Sequence, residues 1–152
     1  MTHLKGAMLA GAAVLLAACA KEPEPPRTAT VTVTGGADIN ASADGPATPV
    51  VVQLYELTQA SDFEQAGFFD LYDRAQETLG QDLVASERIT LRPGQTVERT
   101  WTLAERTGAV GAIAAFRALD TSTWRGSAPL GPAKQQAVTV SVNGTTISVS
   151  AE

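Results

Sequence analysis

Val138-Thr139-Val140-Ser141-Val142-Asn143-Gly144-Thr145-Thr146-Ile147-Ser148-Val149 is the stretch on which the reading of the fold turns. Valine at every second position before the Asn-Gly pair, and Ile147 and Val149 at the same spacing after it, give each half one apolar and one hydroxyl face. That period of two belongs to half-buried strands. Asn143-Gly144 between them tolerates positive φ and predicts a type I′ hairpin.

Working outward, the same signals recur. Val110 to Phe116 (VGAIAAF) carries no polar side chain and predicts a central strand covered on both faces. Its small residues Gly111, Ala112, Ala114 and Ala115 permit close approach of another layer. Leu83 to Leu91 and Thr96 to Leu103 read as strands on either side of an Arg92-Pro93-Gly94-Gln95 turn, with Val97, Trp101 and Leu103 on one parity. Val50 to Leu57 (VVVQLYEL) and Thr28 to Thr34 (TATVTVT) are strands upstream. Between Ser61 and Gly80 the period changes. Ser61-Asp62-Phe63-Glu64 fits a capping box, Gly67 interrupts, and Phe68, Leu71, Tyr72, Ala75 and Leu79 form a helical stripe. Aromatic residues at that spacing are read as core, with a partner-binding patch at Phe68, Phe69 and Tyr72 as the alternative. Seven or eight strands with one helical insertion make a mainly β chain, a two-sheet β-sandwich with a short helical insertion.

The N-terminal end reads differently. Leu16-Ala17-Ala18-Cys19 matches a bacterial lipobox, with Lys5 as a positive n-region and Ala7 to Ala18 as a 12-residue apolar run. Twelve residues are fewer than the roughly 20 a membrane span requires, so residues 1–18 are expected to be a cleaved lipoprotein signal peptide and Cys19 the lipid attachment site. Residues 19–27, rich in proline, are expected to be a lipidated tether, and residues 28–152 the sandwich domain. Several acyl chains on one cysteine would make the anchor effectively permanent.

Composition narrows the function. Removing the signal leaves ten Lys and Arg against sixteen Asp and Glu, a net charge of −6. A net acidic chain without a basic run argues against nucleic acid. The single histidine, His3, departs with the signal, and the single cysteine is acylated. No zinc site, Ser-His triad or cysteine nucleophile can be assembled, and the scattered carboxylates form no catalytic frame. No enzyme, cofactor, metal or small-molecule substrate is expected.

The candidate working surface is the loop from Ala37 to Pro49, too long and polar for a plain connection. Asp38, Ile39, Asn40, Ala41, Ser42, Ala43, Asp44 and Gly45 are its expected partner-binding residues. Ile39 is the apolar anchor and Asp38, Asn40 and Asp44 the polar rim; the alternative tucks Ile39 into the sandwich end. Asp38, Asn40, Ser42 and Asp44 also place oxygens at alternate positions, as calcium loops do, but Ala43 and Pro49 occupy the positions needing Gly and Glu. Trp124-Arg125 is read as an arginine packed on an aromatic at the sandwich edge.

These residues together resemble the type VI secretion lipoprotein family (TssJ, VasD, SciN). The similarity is carried by Ile39-Asn40, Asp44-Gly45-Pro46, Pro49 to Leu57, Phe63, Phe68 to Tyr72, Leu79 to Leu83, Leu91 to Gly94, Ala114 to Arg117 and Trp124-Arg125. The resemblance implies a transthyretin-like sandwich anchored in the outer membrane on its periplasmic face, an anchoring also implied by Ala20 after the cysteine. It further implies a structural role in the envelope-spanning secretion complex, with the periplasmic domain of the inner-membrane protein TssM as partner and the loop between the first two strands as the contact. The chain departs from the family in that loop, where Asn40-Ala41-Ser42 and Gly45-Pro46-Ala47 replace the usual proline and arginine, and Gln53 replaces an arginine. The loop is expected to be less rigid and less basic than its relatives' loops.

Overall fold

A computed structural model describes residues 22–152; the signal peptide and Cys19 lie outside the described residues. Eight strands form two four-stranded sheets. In chain order they are β1 (Thr28–Gly35), β2 (Val50–Leu57), β3 (Leu83–Leu91), β4 (Thr96–Thr102), β5 (Ala109–Ala114), β6 (Arg125–Pro129), β7 (Gln135–Asn143) and β8 (Thr146–Ala151). One sheet has the order β4-β1-β7-β8 and the other β3-β2-β5-β6. The Arg92–Gln95 turn joins β3 to β4 across the two sheets. The side chain of Gln95 accepts from the Arg92 N–H at 2.9 Å.

Alternation sorts the side chains. Ala29, Val31 and Val33 from β1 and Val138, Val140 and Val142 from β7 face Val50, Val52 and Leu54 from β2 and Val110, Ala112 and Ala114 from β5 in the inter-sheet core. The opposite parity of β2 and β5 meets a second layer. Tyr55, Leu57, Ala109 and Ile113 pack under α1 (Ser61–Gln65) and α2 (Phe68–Leu79), against Phe63, Leu71 and Leu79. Every residue of β5 is therefore buried. Gly111 is required by this layer, because a Cβ there would sit 2.7 Å from the Phe63 ring. Tyr55 donates its hydroxyl to the Leu71 carbonyl at 2.9 Å, fixing helix to sheet.

Two expectations are corrected. The terminal hairpin turns one residue later than the Asn-Gly pair predicts: Asn143 still pairs with Thr146, and Gly144-Thr145 make the turn. Only Gly144 has positive φ (55°), the pattern of type II′ rather than I′. The capping box does not form. Ser61 is already helical, Ala60 is the N-cap without a side-chain bond, and Glu64 instead accepts from the Ser127 hydroxyl at 2.7 Å. Arg27, at the end of the expected tether, donates its guanidinium to the Thr107 and Gly131 carbonyls at 3.0 and 2.9 Å.

Helix α2 bends at Arg74, whose φ and ψ are −133° and 35°. Across the bend, the Thr78 hydroxyl donates to the Asp70 carbonyl at 3.1 Å.

Candidate functional site

The position of the Ala37–Pro49 loop follows from β1. That strand receives the chain from the N-terminal segment at Thr28 and delivers it to the loop at Gly35. Seven steps of about 3.3 Å separate the two by about 23 Å. The N-terminal segment meets the sandwich beside Leu103, Thr107, Gly131 and Lys134, where the Leu103 amide donates to the Arg27 carbonyl at 2.8 Å. The loop lies at the opposite end, beside the β7–β8 turn. There the Asn40 amide donates to the Gly144 carbonyl at 2.8 Å, and the Gly144 amide to the Asp38 carboxylate at 3.2 Å.

Within the loop, Asn40 is the organising residue. It is 4% exposed and adopts φ 52°, a left-handed conformation asparagine accepts better than most residues. Its Nδ2 donates to Thr48 Oγ1 at 3.0 Å and to the Pro49 carbonyl at 3.1 Å. Its Oδ1 accepts the Arg117 N–H at 2.9 Å. The Thr48 amide closes the base on the Ile39 carbonyl at 3.1 Å, and the Gly45 amide closes the tip on Ser42. This loop is hydrogen-bonded at its base and at its tip. Asparagine supplies by hydrogen bonding the order expected of proline.

The predicted contact residues divide into two groups. Ile39 is 0% exposed and packs in the inter-sheet core, so it is no exposed anchor. A sec-butyl side chain at the end of a sandwich is more favourably placed over apolar neighbours than in water. Asn40 is likewise turned inward, and its oxygen is occupied by Arg117 rather than free for calcium. Asp38, Ser42, Ala43 and Asp44 are exposed, while Ala41 and Gly45 are half-buried. Arg117, 77 residues from Asn40, is a supporting residue that sequence reasoning missed. An amide donor carries no residue-type signal that could have revealed it.

Other polar features are committed. A groove of about 450 Å³ opens between the edge strands β3 and β4, lined by Glu56, Glu87 and Trp101 among others. Glu56 accepts from the Ala104 amide at 2.9 Å and from the Thr107 hydroxyl, and Glu87 pairs with Arg99 at 2.6 Å. Arg125 stacks on Trp124 at 4.6 Å and donates to the Phe63 and Ala66 carbonyls, capping the end of α1. Burial lowers its pKa from the ordinary arginine value.

The family model described as type VI secretion lipoprotein (VasD, EvfM, TssJ) matches residues 27–145. The chain belongs to the type VI secretion lipoprotein family. Among solved structures, the lipoprotein is similar to the T6SS lipoprotein TssJ1 from Pseudomonas aeruginosa, at 34% identity and a TM-score of 0.78. That match covers 84% of this chain and 98% of the other. It also shares the fold of Serratia marcescens Lip, a membrane-bound component of the type VI secretion system, at 24% identity and TM-score 0.76, covering 82% and 98%. A chain of a structure described as a type VI membrane complex matches at 27% identity and TM-score 0.68, covering 81% and 97%. No curated protein matches the chain. The expected mainly β, two-sheet fold of this family is the observed one, and the family is one of membrane-bound lipoproteins.

Proposed function

We propose that the lipoprotein is a non-enzymatic structural strut of the type VI secretion envelope complex. Cys19 carries its lipid in the outer membrane, and its opposite end holds the periplasmic domain of a TssM-like inner-membrane protein. One observation carries this reading: chain entry and the Ala37–Pro49 loop lie at opposite ends of β1. A lipid at one end therefore leaves the other free to face across the periplasm. The loop's exposed surface, Asp38 and Ser42 to Asp44, is the contact, and Asn40 is a positioning residue behind it. Ordering before binding lowers the entropy cost of association.

The contact surface also limits what a clean test can replace. Exchanging all of Asp38 to Asp44 for a Gly/Ser linker would remove Ile39 from the core and lower the melting temperature. Replacing Ser42, Ala43 and Asp44 alone by Gly-Ser-Gly should leave melting unchanged and weaken binding of the TssM periplasmic domain at least tenfold, about 1.4 kcal/mol. Undiminished affinity in that variant overturns the assignment.

A further inference from the structure

The helical layer carries a second surface, and its charge says what it would bind. Residues 61–82 hold six carboxylates (Asp62, Glu64, Asp70, Asp73, Glu77 and Asp82) against one cation, Arg74. The whole chain has sixteen acidic and eleven basic side chains, so the remainder is balanced at ten and ten. Once Lys5 leaves with the signal, −5 of the net −6 belongs to this insertion, and Arg88, Arg106 and Arg125 approach it from outside by donating to the Tyr72, Gln81, Phe63 and Ala66 carbonyls. Asp70 pairs with Arg74, and Glu64 is held by Ser127. Among the described residues, the carboxylates of Asp62, Asp73 and Glu77 have no ionic partner.

On the same helix as Asp73 and Glu77 stands Phe69, 65% exposed and the one large apolar side chain left exposed among the described residues. It precedes Asp73 by one helical turn, so the two share an exposed stripe before the bend at Arg74. Its ring is firmly backed. Phe68 meets it edge-to-face at 5.3 Å, and Phe68 in turn stacks on Tyr72 at 5.4 Å and abuts Trp124 at 5.3 Å.

We propose that this helical face docks a lysine- or arginine-rich segment of a protein partner, with Phe69 as the aromatic anchor and Asp62, Asp73 and Glu77 as its anionic rim. Cations attracted by the rim can lie over the Phe69 ring, where the quadrupole adds to the ion pairs. The same charge disfavours the other occupants of an exposed aromatic. A second copy would set two acidic faces together, and an anionic lipid surface would be repelled. This surface is on the outer face of the β3-β2-β5-β6 sheet and does not include the Ala37–Pro49 loop.

The test titrates the full lipoprotein in detergent micelles with a short soluble peptide alternating lysine with leucine and glycine, and with its glutamate counterpart. Backbone resonances of residues 61–82 should shift with the lysine peptide alone. Phe69→Ala should weaken binding at least fivefold at an unchanged melting temperature. Asp73→Asn with Glu77→Gln should weaken it and flatten its salt dependence. The Ser42–Asp44 replacement should leave it unaltered, which separates this inference from the loop assignment. Binding of the lysine peptide that ignores Phe69→Ala shows general charge attraction and overturns the proposal. Shifts elsewhere, or a Phe69-dependent response to anionic vesicles or to self-association instead, overturn it equally.

Discussion

Asn40→Ala separates an ordered loop from a merely tethered one. The variant loses three side-chain hydrogen bonds, to Thr48, Pro49 and Arg117. At about 1 kcal/mol each they sum to about 3 kcal/mol. Alanine must also adopt φ 52°, which costs an L-residue about 1 kcal/mol or more. Water reaching the loop end recovers some of the bonding, so the net loss should be about 2–4 kcal/mol. That is a large share of the 5–15 kcal/mol typical of a domain, yet the protein should still fold. Two companions divide the loss into its causes. Asn40→Gly accepts the dihedral and should be less damaging than alanine by about 0.5–1 kcal/mol, after its greater unfolded-chain entropy. Asn40→Asp keeps the acceptor for Arg117 and tolerates the dihedral, but it sets a buried carboxylate oxygen against the Pro49 carbonyl in place of a donor, so it should cost at least as much as alanine. Urea unfolding at constant m gives these differences directly. A loss for Asn40→Ala within about 0.5 kcal/mol, the range of plain surface changes, refutes the pinning of the loop.

Four further outcomes are expected. Ile113→Ala, at a fully buried position beneath the helices, should cost about 2–5 kcal/mol in denaturant melts. Gly111→Ala should cost about 1–3 kcal/mol by driving a methyl into the Phe63 ring, and Phe63→Leu should recover part of it in a double-mutant cycle. Tyr55→Phe should cost about 0.5–1.5 kcal/mol near neutral pH through its lost bond to Leu71. Burial raises the Tyr55 pKa well above the free value near 10. Above that pH the unfolded tyrosine ionises and the native one does not, so wild-type stability falls and the gap to Tyr55→Phe narrows. Cys19→Ser should release the protein from outer-membrane fractions while the domain still folds, and retention without detergent refutes the lipid assignment.

Strands and layers were legible in the sequence because burial on a sheet leaves a period-two trace. The uninterrupted apolar run of β5 announced cover on both faces, and Gly111 announced close approach. What escaped was set by partners distant in sequence. The hairpin turn moved by one residue because Asn143 completes the pairing with Thr146, leaving only Gly144 at positive φ. Glu64 abandoned a local cap for Ser127, 63 residues away. At the candidate site, the loop's position was legible but the direction of its side chains was not. Ile39 looked like an anchor because it is the loop's one large apolar residue, and the same apolarity draws it into the core. Asn40 looked like a rim residue, although its bonds to Thr48, Pro49 and Arg117 make it the loop's internal brace.

The central claim is that the loop opposite the lipid meets TssM, and hydrogen exchange on the full lipoprotein bound to the TssM periplasmic domain tests it most directly. Ser42, Ala43 and Asp44 have amides without a backbone acceptor among the described residues, so they should exchange quickly in the free protein. In the complex their exchange should slow markedly, while the chain-entry end around Arg27 and Leu103 stays unchanged. A complex in which those three amides exchange as fast as in the free protein contradicts the account.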